Sequence, residues 1–237
     1  MTPADPTRPL SSPPRLPASE TLADEWGECH DGAMAHLAHD THGLCLHLSR
    51  AEVRFPVEWR APEGFRPDDP STWPRVEGRL EYVNGKIQYM PPCGEVQQDV
   101  ATDTTHILRT WSGDHPELVV GSNEAGMIVG DTVRAADVAV WRRSHAGERT
   151  GLRRGPPLLA VEIAGQDESE RSLREKAAWY LDIGVCVVWL ILPESREVLV
   201  LERGSESRHA KGDLLPAHAA LPGLEVEVAA LFSQIDR

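Results

Sequence analysis

A chain of 237 residues, 41% of them hydrophobic, can bury a sizeable core, and its length fits one α/β domain with an extension. The net charge of −13 argues against binding nucleic acid by bulk electrostatics, because phosphate contacts need local Lys and Arg. The longest apolar run, VCVVWLIL from Val185 to Leu192, is far short of the roughly 20 residues that cross a membrane and reads as a buried strand.

Residues 1–20 are proline-rich and lack an apolar h-region, so they read as a disordered leader of a cytoplasmic protein, neither signal peptide nor helix. Cys29, Cys45, Cys93 and Cys186 form no CxxC pair, which fits a reducing compartment. Residues 21–74 read as an extension and linker. Loosely spaced Leu22, Trp26, Met34 and Leu37 suggest a helix somewhere between Glu20 and Arg50. The same stretch carries Cys29, His30, His36, His39, His42, Cys45 and His47, but the spacing matches no closed Cys/His zinc pattern. A polar, partly helical extension is the major reading, with structural zinc the minor one. WRAPEGFRPDDPSTWP, before Arg75, reads as an ordered loop.

Residues 75–237 carry the main domain. GRLEYVNGKIQYMPP is a β-hairpin, since Asn84-Gly85 supplies the two positive-φ residues of a type I′ turn. Leu80 and Tyr82 share one face of its first strand, and Glu81 and Val83 share the other. Val96, Val100, Ile107 and Trp111 then predict a helix from about Gly94 to Trp111. Short strands follow at ELVVG, GMIVG, VRAADVAVW and PPLLAVEIAG. The stretch ESERSLREKAAWYLDIG is a helix closed by Gly184, feeding the apolar strand from Val185 and the outer strand REVLVLERG. Strand, helix and buried strand in that order predict an α/β fold with a sheet of mixed direction.

Three polar residues interrupt this pattern. Asp137 shares a face with Ala139 and Trp141 in a mostly apolar strand. Glu162 sits in a run apolar on both sides, where an unpaired carboxylate costs several kcal/mol and needs a cation, a metal or a proton. Lys176 falls within the helical stripe Leu173, Ala177, Tyr180 and Leu181, although most helix lysines are solvated and cover apolar surface with their stems. Asp, Glu and Lys converging on a sheet form a hydrolytic set in which carboxylates hold a hard cation and the ammonium offsets charge on a phosphate. A Glu162–Lys176 ion pair that merely joins helix to sheet is the structural alternative. From Arg134 to Lys176 nine basic residues face seven acidic ones, a permissive patch within an acidic chain.

In sequence order, RLEYVNGKI, RAADVAVW, LLAVEIAG, REKAAWYLDIGV, VVWLILPESREVLVL and LPGLEVEVAALF resemble the Uma-two family of restriction endonucleases, within the PD-(D/E)XK nuclease superfamily, from about Arg75 to Phe232. The resemblance implies a restriction-endonuclease-like core, a mixed sheet flanked by helices. It also implies an endonuclease that hydrolyses phosphodiester bonds with Mg²⁺ or Mn²⁺, with DNA as partner, no membrane and a homodimer allowed. It maps Asp137 and Glu162 onto the family's metal-binding acids, Lys176 onto a lysine on the following helix, and Glu81 onto an acid near the metal. This chain has Ala164 where the lysine would otherwise stand, two residues beyond the glutamate. Ala136 replaces the proline before the aspartate, Val96 stands where many relatives have histidine, and Ser172 stands where an aspartate often precedes the lysine. Gln97 and Gln98 are nearby polar substitutes, read foremost as helix-surface residues. The departures motivate a second reading, a catalytically impaired nucleic-acid-binding or regulatory protein on the same scaffold.

Overall fold

In the computed structural model, residues 36–40, 43–47, 55–145, 151–166 and 168–237 are described. The chain divides into two units, 1–52 and 53–237. In the first unit, β1 (His36–Asp40) and β2 (Gly43–His47) pair antiparallel. The helix expected here is absent over those residues, because Gly43 breaks a helical period and Leu44 and Leu46 alternate with Cys45 and His47 at a period of two. The leader and Cys29 and His30 lie outside the described residues.

The second unit is built on a ten-stranded mixed sheet. Its strands are β3 (Val57–Arg60), β4 (Arg79–Val83), β5 (Lys86–Met90), β6 (Leu118–Val129), β7 (Thr132–Arg142), β8 (Arg153–Arg154), β9 (Leu159–Ile163), β10 (Val187–Leu192), β11 (Glu197–Glu202) and β12 (Ser205–Ala210). The order runs β12-β11-β10-β9-β7-β4-β5-β3, with β6 on β7 and β8 on β6. The β9–β10 and β6–β8 pairs are parallel and the others antiparallel. Trp59 and Arg60, expected in a loop, end an edge strand paired with β5.

Local sequence explains the elements around the site. Asn84 and Gly85 take φ of +52° and +79°, the left-handed pair that a two-residue hairpin turn needs. The helix α1 (Glu95–Trp111) runs where expected, but its buried stripe is Gln97, Val100, Thr104 and Leu108, while Val96 is exposed. That stripe keeps the 3-4 spacing of a helix face, rotated by one residue from the apolar count that favoured Val96. ELVVG and GMIVG belong to the single strand β6, broken by a register shift where Asn123 and Glu124 take φ of +57° and +59°. The helix α2 (Glu170–Asp182) starts on a Ser169 cap whose side chain accepts from Ser172 N–H, and Gly184, at φ +102°, lets the chain leave it.

The sheet is covered on both faces. One buried cluster joins Val100 and Leu108 of α1 to Val138, Val140, Val161 and Ile163, together with Leu231 and Phe232 near the C-terminus. The other joins Leu173, Ala177 and Tyr180 of α2 to Ala139, Trp141, Ala160 and Leu190. Period-two alternation puts Glu162, in step with Ala160, on the α2 side, while the Asp137 carboxylate turns into the sheet's edge against the Ile163 N–H and Gln97 of α1. Strands β4 and β9 share one edge of β7 without meeting. β4 pairs with it at Val133 and β9 at Val138–Val140. Residues 134–137 lie between the two pairings, where the sheet splays.

Candidate active site at the splayed edge of β7

A backbone edge inside a protein must find partners for its N–H and C=O groups. At Ala135 they are side chains. The Ala135 N–H donates to Glu81 Oε1 at 3.1 Å, and Lys176 Nζ donates to Ala135 O at 2.9 Å. The end of β9 is handled in the same way, with Ile163 N–H donating to Asp137 Oδ2 at 2.7 Å. The gap in the ladder is therefore filled by the residues that interrupt the apolar sequence pattern.

Lys176 is the junction. Its ammonium lies 2.8 Å from Glu162 Oε2 and 3.2 Å from Glu81 Oε1. Tyr180, one turn further along α2, donates its hydroxyl to Glu162 Oε1 at 2.6 Å. Arg134 Nη1 reaches Glu81 Oε2 at 3.3 Å while its guanidinium stacks 5.1 Å over the Trp179 ring. Glu81, Asp137, Glu162 and Lys176 are 1%, 5%, 2% and 8% exposed, so these charges interact with little solvent between them.

Asp137 faces a different set of partners. Arg79 Nη1 is 3.3 Å from its Oδ1 and 2.9 Å from Glu124 Oε2. Gln97 Nε2 lies 3.4 and 3.3 Å from the two Asp137 oxygens and 3.0 Å from the Ile163 carbonyl. Gln97 is 6% exposed, so the helix-surface reading of it is corrected: the rotated stripe of α1 points it inward. Gln98 stays at the surface and donates to Cys93 O.

Burial pushes the Glu162 carboxyl up and Lys176 pulls it back, but Asp137 adds repulsion and the balance stands at about 8. Burial also pushes Glu81 up, yet Lys176, Arg134 and the Ala135 N–H together hold it below the ordinary carboxylate range. For Lys176 the burial cost is outweighed by Glu162, Glu81 and Asp137, so the ammonium is held well above the usual lysine value. Burial and Glu162 push the Tyr180 phenol well up. The cluster therefore holds one firmly protonated lysine among carboxylates, of which Glu162 is the least compensated.

The structure brings Glu81, Glu162 and Lys176 into direct contact and sets Asp137 at their electrostatic border. Arg79, Glu124, Arg134 and Tyr180 were not singled out from sequence as site residues, and Gln97 was named only as a polar substitute read foremost as a surface residue. Two of them carried a signal: Arg79 precedes Glu81 by two residues on the same strand face, and Tyr180 follows Lys176 by four on the same helix face. Glu124 carried none, because it reaches Arg79 from the left-handed pair in β6.

Among the described residues no three His, Cys, Asp or Glu side chains are grouped to hold a metal ion, and no helix is long and apolar enough to cross a membrane. Cys93 and Cys186 are free thiols. A solved structure from Anabaena variabilis, described as "a putative nuclease belonging to DUF820", resembles the chain with a TM-score of 0.62 at 20% identity, covering 71% of this chain and 98% of that one. At that identity the likeness establishes the restriction-endonuclease-like fold, an α/β core of mixed sheet flanked by helices. No curated protein matches. The Uma2 family model, described as "Putative restriction endonuclease", matches residues 67–229, well over half of the chain, and the protein belongs to that family.

Proposed function

We propose that the protein is a divalent-metal-dependent endonuclease hydrolysing phosphodiester bonds in DNA. Family and fold support a nuclease. The observation that carries the finer reading is the Glu162–Lys176 contact with Asp137 at its electrostatic border, each of the three at least nine-tenths buried, at the splayed edge of β7.

The donor set fits a hard divalent cation such as Mg²⁺ or Mn²⁺, which prefers oxygen ligands. Both Asp137 oxygens and the Ile163 carbonyl converge on one point, marked by Gln97 Nε2. Glu162, on the strand that ends at Ile163, carries the carboxylate most in need of positive charge. Asp137, Glu162 and the Ile163 carbonyl would hold the ion. When bound, the ion would polarise phosphoryl oxygens and make a bound water more acidic.

Hydrolysis joins the water oxygen to phosphorus, breaks the bond to a sugar oxygen and leaves the proton on that departing oxygen. Lys176 keeps its proton and acts as a fixed positive charge toward the phosphate, with Glu162, Glu81 and Ala135 O setting its direction. Glu81 is already compensated by Lys176, Arg134 and the Ala135 N–H, whereas Glu162 is not, so we assign Glu81 to positioning Lys176 instead of ligating the ion. Arg79 lies toward the surface, its side chain 11% exposed, and offers a second charge to an entering phosphate. We place this activity in the cytoplasm, a setting compatible with the free thiols.

A plasmid assay with the purified full chain tests the proposal. Cleavage should require Mg²⁺ or Mn²⁺, stop with chelator, and fall by about 10²–10³ in Lys176→Met, the usual effect of removing one preorganised charge. Folded protein that cleaves neither DNA nor RNA with either metal would favour the second reading, a nucleic-acid-binding or regulatory protein with cleavage lost. One observation supports that alternative: the oxygens of Glu81, Asp137 and Glu162 already have protein partners.

A further inference from the structure

We propose that the Gln97 carboxamide is a built-in competitor for the cation position, so that metal binding must displace it and Gln97 sets the affinity of the site. The inference rests on the metal-dependent reading above and adds a determinant that the acids and the lysine do not supply.

The geometry around Gln97 Nε2 is unusual for an amide. Three acceptor oxygens surround one NH₂ group, at 3.0, 3.3 and 3.4 Å. Only the bond to the Ile163 carbonyl has an ordinary N–H···O length, and the two to Asp137 are long. Two hydrogens cannot serve three acceptors well, whereas a cation can. The orientation of the amide is also decided by its surroundings, since the flipped group would turn Oε1 toward three acceptors. Gln97 thus satisfies the oxygens with hydrogen bonds while adding no charge.

The amide and the cation exclude one another. Mg²⁺ binds oxygen at about 2.0–2.1 Å, so these oxygens must draw inward by roughly 1 Å around a point that the nitrogen now fills. The local structure lets Gln97 leave. It is the third residue of α1, whose Gly94 cap makes no side-chain hydrogen bond, and neighbouring Val96 is already exposed. The first turn of a helix frays more readily than its interior, since its first N–H groups lack intrahelical partners. The carboxamide also depends on Gly165 for room, since a Cβ there would lie 3.3 Å from Gln97 Oε1.

Calorimetric titration of Mn²⁺ into the full chain, wild type and variants, tests the inference without reading activity. Gln97→Met keeps the side-chain volume and removes the donor, and Gln97→Ala removes both. Each should bind Mn²⁺ about tenfold more tightly than wild type, the equivalent of one net hydrogen bond no longer competing. Each should also gain more in melting temperature from saturating Mn²⁺. Asp137→Asn should lose binding in either background. Unchanged affinity in both Gln97 variants, with binding still dependent on Asp137, would leave the metal site standing and overturn the competitor role. Weaker binding would make Gln97 a ligand and overturn it equally. If no folded protein binds Mn²⁺, wild type and Gln97 variants alike, the metal-dependent reading fails and the competitor falls with it. Should Gln97→Ala fail to fold, Gln97→Met alone decides among these outcomes.

Discussion

Glu81 and Lys176 bond to opposite poles of one residue, Ala135, the carboxylate accepting from its N–H and the ammonium donating to its C=O, and lie 3.2 Å from each other. Each side chain thereby substitutes for strand backbone at the place where β4 and β9 part along β7. Charge placement and sheet geometry are the same feature here.

Removing one member should therefore cost more than an ordinary buried contact. Glu81→Ala leaves the Ala135 N–H without its acceptor and removes the counter-charge shared by Arg134 and Lys176. Denaturant unfolding should show a loss of about 3–5 kcal/mol, the range for breaking a buried ion pair. Glu81→Gln retains an acceptor for the N–H and should lose less. Equal losses in the two variants would mean that the charge contributes little.

Stability should depend on pH through Glu162. The folded carboxyl sits at about 8 against an ordinary 4.5, so between these values the folded protein holds a proton that the unfolded chain has released. The contribution of this group is complete below pH 4.5 and is lost as pH rises through 8, at up to about 1.4 kcal/mol per pH unit. Glu162→Gln should flatten the unfolding free energy between pH 5 and 8 relative to the parent. An identical slope in both would assign the titration elsewhere.

How far this site was legible from sequence depended on the kind of signal. Glu81, Asp137, Glu162 and Lys176 stood out as polar residues in apolar patterns, and burial of all four follows from those patterns once the sheet is covered on both faces. Gln97 was assigned foremost to the helix surface because Val96 and Ile107 drew the apolar count onto a neighbouring phase of α1, and one residue of rotation exchanges an inward for an outward side chain. Glu124 depended on a left-handed pair without glycine, which composition does not announce. The edge strand β12, SESRHA, has no apolar alternation and is formed by backbone pairing with β11. The hairpin was plain because Asn-Gly specifies both the turn and the register.

The hairpin also depends on a second glycine. Gly78 has φ of +137°, and a Cβ there would meet Met90 O at 2.5 Å and the Tyr89 ring at 2.6 Å. Gly78→Ala should destabilise the fold by about 1–3 kcal/mol through backbone strain and overpacking. Because Arg79 and Glu81 follow directly, the substitution should lower cleavage beyond what partial unfolding explains, measured below the melting transition. Full specific activity in the folded fraction would show that the start of β4 tolerates the shift.

Lys176→Met separates the structural role of the ammonium from its chemical one. The thioether fills the volume of the lysine stem, so packing against Leu173 and Tyr180 is kept while Glu162 and Glu81 lose their shared cation. Without metal, the variant should be less stable by about 3–5 kcal/mol at neutral pH, since one partner of a buried charge pair has gone. Raising the pH through 8 should enlarge that loss, because Glu162 then ionises with no counter-charge beside it. Saturating Mn²⁺ should recover part of the loss, if Glu162 and Asp137 share the ion. Cleavage under the same conditions should remain about 10²–10³ below the parent, because metal at the carboxylates does not replace a charge directed at the phosphate. Stability restored by Mn²⁺ with cleavage still lost would identify Lys176 as a catalytic residue. Restoration of both would reduce it to a structural counter-ion.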